Sequence, residues 1–176
     1  MFNQDYFELF GLERGFDLDP ELLIHRYRDL QKTFHPDKFA NATEQERRIA
    51  LQQAALINTA YQTLKDPLSR ARYLLELAGV QQAGEQQTIR DPEFLEEQME
   101  LREALQELRE EADPQGAIFQ FLADLNTREK RCVSELGGCF AKGDEVALEQ
   151  ARVLLHRLQF VRRLQQEAEA VEEELL

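Results

Sequence analysis

Apolar side chains return every three or four positions along most of this chain, a period that fits the amphipathic α-helix and requires a partner surface to cover each stripe. Leu23, Tyr27, Leu30 and Phe34 form one such stripe, and Ala50, Ala54, Ile57, Ala60, Tyr61 and Leu64 form a second. Helix signals fall where these stripes begin and end. Asp19 supplies an N-cap with Pro20 at the first helical position, and Thr43 with Glu46 makes a capping box. Asp66-Pro67 closes the second stripe, and Asp5 caps a short leading helix predicted to reach Leu12. The helix from Pro20 is predicted to run to about Phe34, followed by a loop from His35 to Ala42. Two antiparallel helices braced by the short first one would bury Leu9, Tyr27, Leu30, Ile57 and Leu64 together and leave the loop tip exposed.

The second half carries three more helical runs, predicted at residues 92–112, 115–140 and 144–175 and punctuated by Asp113-Pro114 and Gly143-Asp144. Short connections between long helices imply an antiparallel three-helix bundle. Between the halves, the polar stretch from Gly79 to Gln87 loses the period, which sets domains at 1–78 and 91–176 with a linker over 79–90. With five prolines and eight glycines, and Leu, Glu, Gln, Ala and Arg dominant, the expected class is all-α.

The net charge of −13 opposes binding to nucleic-acid backbones and anionic membranes, so a protein partner is expected. That charge is uneven: residues 1–90 hold 13 acidic and 11 basic side chains, whereas residues 91–176 hold 21 and 10. The start lacks the basic and apolar regions of a signal peptide, and no apolar run approaches membrane-spanning length, so a cytoplasmic protein is expected. His25, His35 and His156 share no nucleophile-base spacing, and Cys132 and Cys139 have no CxxC partner. No enzyme activity, metal or cofactor is expected from such a set. The two cysteines read as small, partly buried helix residues.

One tripeptide stands apart. His35-Pro36-Asp37 directly follows an amphipathic helix whose outer face carries Arg28 and Lys32, with Arg26 at its edge. It is followed by Lys38-Phe39 and then by a helix bearing Ile57-Asn58, Ala60-Tyr61, Leu64 and Asp66-Pro67. Proline restricts the preceding residue and removes one backbone donor, so His35 and Asp37 are held in defined directions on a tight tip. This arrangement resembles the J-domain. The runs Asp5 to Leu12, Arg70 to Leu75 and Phe94 to Glu103 resemble the HscB family in particular, over nearly the whole chain. The resemblance implies an L-shaped, two-domain co-chaperone that delivers the iron-sulfur scaffold protein IscU to the DnaK-type chaperone HscA and stimulates ATP hydrolysis there. It assigns chaperone contact to His35, Pro36 and Asp37, and to Arg26, Arg28 and Lys32.

The cargo end can also be read from spacing. On the helix 92–112, Phe94, Leu101, Leu105, Leu108 and Ala112 define a narrow face directed into the bundle. Leu95 falls about 110° and Met99 about 150° from the centre of that face, which puts both on the outside. Glu96, Glu100 and Glu103 flank them, and on the last helix Phe160 lies off the stripe of Ala147, Leu154, Leu158 and Val161. An apolar centre with an acidic rim is the composition of an interaction patch. In the resembled family the corresponding surface binds the scaffold protein, which points to Leu95, Met99, Glu100, Glu103 and Phe160; Glu96 departs from that pattern, where an apolar residue can stand. A J-protein adaptor for another client, or a holdase for unfolded chains, fits the same motif. The Gly/Phe-rich segment and CxxCxGxG repeats of general DnaJ proteins do not occur in the sequence.

Overall fold

The computed structural model describes residues 4–81 and 91–176, and among these every regular element is helical. Their contacts group into two compact units, Met1–Leu74 and Leu75–Leu176. Most of the linker expected over 79–90 lies outside the described residues.

In the first unit, α1 (Tyr6–Leu9) begins on a capping box between Asp5 and Glu8. It stops three residues before the expected end, because Gly11 adopts the left-handed φ of 63°. The N–H groups of Gly11 and Leu12 turn back to the carbonyls of Glu8 at 3.0 Å and Phe7 at 2.8 Å, which closes the helix as a Schellman motif. The next helix, α2 (Pro20–Thr33), starts where the Asp19 carboxylate accepts from the N–H groups of Glu21 and Leu22, with Pro20 pre-set for the first turn. The reciprocal Thr43 and Glu46 bonds open α3 (Glu44–Lys65). Ile57 and Leu64 are fully buried, whereas Leu9, Tyr27 and Leu30 are only half-buried. Phe7, Phe10 and Phe16, from α1 and the loop before α2, supply core volume that helical spacing does not signal.

The α3 helix ends at Asp66, whose extended ψ of 130° breaks the ladder, and Pro67 begins α4 (Pro67–Leu77). Two side chains fold back to satisfy the carbonyls this leaves free. Ser69 Oγ donates to the Thr63 carbonyl at 2.7 Å, and the Arg70 guanidinium donates through Nη1 to the Leu64 carbonyl at 2.9 Å. Arg70 is only 8% exposed and lies over the Phe16 ring at 4.8 Å. Burial pushes its pKa down, against the opposing charges of Asp66 and Asp17. Because Arg70 joins a charged hydrogen bond to a packed position, Arg70→Ala is expected to cost about 3 kcal/mol, read as a lower urea midpoint. Arg70→Met, which keeps the stem but frees the carbonyl, should recover part of that loss.

In the second unit, α5 (Pro92–Glu107) continues into a 3₁₀ turn at Leu108–Glu110; α6 (Pro114–Lys142) and α7 (Glu145–Glu174) follow. The joint between the long helices is fixed by Gly143 at φ 66° and by the Asp144 carboxylate accepting from the Ala147 N–H at 2.7 Å. One core gathers Phe94, Leu101 and Leu105 of α5, Ile118, Phe121 and Leu125 of α6, and Leu164, Ala168 and Val171 of α7. Helical rise gives α5 about 24 Å and its neighbours about 44 Å. Within this unit the bundle is therefore three helices thick only toward the α6 start and α7 end. The α5 stripe stops at Leu108; Ala112 is exposed beyond the 3₁₀ turn.

Candidate functional site

The His35-Pro36-Asp37 tip is not an open loop. Residues Pro36–Phe39 form a single 3₁₀ turn capped by His35, closed by the Lys38 N–H donating to the His35 carbonyl at 3.0 Å. His35 has the extended backbone, φ −63° and ψ 135°, that a following proline favours. Its Nδ1 accepts from the Asp37 N–H at 3.2 Å, so the ring hydrogen sits on Nε2. The imidazole is 57% exposed and the Asp37 carboxylate 92%. One turn thus presents a donor and an anion side by side.

This tip forms one end of a cleft between α2 and α3. Arg28 and Lys32 line it from α2, Lys38 from the turn, and Ala54, Ile57 and Asn58 from α3. Among the described residues none of these three cations has a carboxylate partner. Arg26 does not line the cleft. Two residues from Arg28 is about 200° of helix, and the Arg26 Nη1 lies 3.5 Å from where a Cβ on Gly11 would stand. Lys38 and Asn58 are cleft residues that spacing alone did not single out. Asn58 is reached only through tertiary structure: the Tyr27 hydroxyl donates to its Oδ1 at 2.6 Å and accepts from Gln31 Nε2 at 2.6 Å. The Tyr27 ring stacks on Tyr61 at 4.0 Å with 10° between planes, which locks α2 to α3 below the cleft.

On α5 of the second unit, Leu95 is 42% and Met99 73% exposed, and Glu96, Glu100 and Glu103 are exposed around them. Glu97 turns the other way. It pairs with Arg128 of α6 and, at 3.7 Å, with Arg157 of α7, which also holds Asp91 at 2.8 Å. The Arg157 guanidinium and the Phe94 N–H keep the Asp91 carboxyl below the usual carboxylate range. These pairs orient α5 so that its Leu95–Met99 edge faces out.

Phe160 departs from expectation. It is buried, meeting Phe94 edge-on at 5.8 Å and 88°, with the Arg102 guanidinium over its ring at 5.6 Å. The observed α7 stripe runs through Ala147, Ala151, Leu155, Leu158 and Leu164, with Leu154 only half-buried. Because α7 packs against two helices, a residue off the α6-facing stripe is aimed at α5, not at solvent. Cys132 is half-buried and Cys139 buried, and burial pushes both thiols up. Among the described residues, no group of three His, Cys, Asp or Glu side chains is placed to hold a metal ion, and no helix is long and apolar enough to cross a membrane.

Comparison with known proteins places this geometry. A DnaJ domain model matches residues 5–73, and the HSCB C-terminal oligomerisation domain model matches residues 90–169. The chain is 48% identical over 172 residues to the co-chaperone protein HscB homolog of Vibrio cholerae, covering 98% of this chain and 99% of the relative. It is also similar to the solved structure of the chaperone HscB from Vibrio cholerae, at a TM-score of 0.88 and 45% identity, covering 98% and 100% of the two chains. The crystal structure of human co-chaperone protein HscB gives a TM-score of 0.88 at 29% identity, over 97% of this chain and 83% of the other. With its exposed histidine-proline-aspartate turn on a helical hairpin and its separate three-helix core, the chain belongs to the HscB family of J-domain co-chaperones.

Proposed function

We propose that this protein engages the DnaK-type chaperone HscA through the His35-Pro36-Asp37 turn and its cleft, and delivers the iron-sulfur scaffold protein IscU held on α5. The observation that carries the first half is the cluster of Arg28, Lys32 and Lys38, unpaired among the described residues, around an exposed His35 and Asp37. Cations held without partners attract an acidic surface and speed its approach. Arg26, facing Gly11, contributes to the field rather than to the cleft. For cargo, Leu95 and Met99 form the apolar centre and Glu100 and Glu103 the rim, with Phe160 packing the face from beneath and the exposed Arg102 lying over its ring. Residues 1–78 thus act on the chaperone and 91–176 on the cargo, in the cytoplasm.

No group in either region is arranged for bond chemistry, so the acceleration of ATP hydrolysis is allosteric: binding favours the chaperone conformation competent for hydrolysis. The deciding experiment is steady-state ATP hydrolysis by HscA with this protein, with IscU, and with both. The protein alone should raise the rate, and the pair should exceed the sum of the separate effects. An unchanged rate with the protein present would overturn the chaperone half. Stimulation indifferent to IscU would overturn the cargo half.

A further inference from the structure

We infer that the chaperone-docking surface extends from α2 and the turn onto α3, where the Asn58 amide donates to an oxygen acceptor in an acidic segment of the chaperone. This rests on the functional reading above and adds a recognition residue to it. Asn58 sits mid-helix on the α3 wall of the cleft, beside Ile57 and Ala54. A polar side chain there would ordinarily rotate freely, but this one is oriented. Tyr27 has one hydroxyl hydrogen. Because the oxygen already accepts from Gln31, that hydrogen goes to Asn58 Oδ1 at 2.6 Å. The amide nitrogen is thereby turned away from Tyr27, and nothing among the described residues takes up its hydrogens.

The cleft therefore presents two Nδ2 hydrogens from one wall, and three cations with the single Asp37 carboxylate from the others. Donors and a net positive charge together, with the Asn58 oxygen already engaged by Tyr27, fit the carbonyls and carboxylates of an acidic segment. The relay also makes Tyr27 a positioning residue: it touches no ligand, and its hydroxyl sets the direction in which Asn58 donates.

The test is the concentration of this protein that half-saturates stimulation of HscA ATP hydrolysis, measured on the full chain with its melting temperature alongside. Asn58→Asp keeps the oxygen that accepts from Tyr27 and replaces the outward donor with a carboxylate. It is expected to raise the half-saturating concentration about tenfold or more without moving the melting temperature. Gln52→Glu makes the same charge change about 120° away round α3 and should change neither. Tyr27→Phe keeps the ring stack and releases the amide, raising the half-saturating concentration about threefold with an unchanged maximal rate. If Asn58→Asp melts early, the Tyr27→Phe result decides. Wild-type behaviour in Asn58→Asp, alongside a dead His35→Gln, would overturn the α3 contact and leave the functional reading standing. An active His35→Gln would remove both.

Discussion

His35→Gln is expected to reduce stimulation of the chaperone to its basal rate while leaving the fold and the cargo affinity unchanged. The turn itself survives the change, because a glutamine oxygen can accept the Asp37 N–H that Nδ1 accepts at 3.2 Å. What is lost is the imidazole, which is 57% exposed and contributes nothing to the core. An allosteric effect of this kind rests on about 1–3 kcal/mol of differential binding between two chaperone conformations. Removing the group that makes the difference lowers the stimulated rate by about tenfold or more, each tenfold being about 1.4 kcal/mol of barrier. Circular dichroism and the urea midpoint should match wild type. A variant that still stimulates fully while correctly folded would show that the turn is an ordinary helix connection.

The sequence made the helices legible because their ends carry explicit chemistry. Asp19-Pro20 and the Thr43–Glu46 pair name the first turns of α2 and α3 almost to the residue, and each side chain is seen on the backbone N–H that spacing assigns it. Gly11 shows where such reading fails. A glycine inside a predicted turn of helix is merely unfavourable until its φ is known, and at 63° it ends α1 early. Arg70 fails differently: as an arginine in a helix it reads as solvated, and only the Leu64 carbonyl left open by the α3–α4 break explains its burial.

The surface residues divide along the same line. Leu95 and Met99 read as outward-facing, and are exposed, because α5 has one buried stripe, so an angle on the helical wheel suffices to separate inside from outside. For α7 the wheel misleads. Its buried residues span the arc facing α6 and the arc facing α5, and Phe160 belongs to the second. The cleft lies beyond the wheel altogether, since Asn58 and Tyr27 are 31 residues apart and only the hairpin brings them within 2.6 Å.

Replacing Leu95 and Met99 together by alanine is expected to weaken binding of the scaffold protein about a hundredfold while leaving stimulation of the chaperone alone intact. Fully burying a leucine or methionine side chain is worth about 1.5–3 kcal/mol. Only the part still facing water can be covered by a partner, 42% of Leu95 and 73% of Met99. Scaled by exposure, the pair has about 3 kcal/mol to give, and each 1.4 kcal/mol is tenfold in Kd. The glutamates around them act differently, through charge screened within about 8 Å at physiological ionic strength. Raising salt should weaken wild type and the double variant in parallel, so that their ratio, measured by calorimetry, stays fixed. A ratio that collapses at high salt would mean the acidic rim, not the apolar centre, holds the cargo. An affinity unchanged by the double substitution would move the cargo site off this face of α5, because Phe160, its remaining aromatic neighbour, lies beneath the surface and has little area left for a partner to cover.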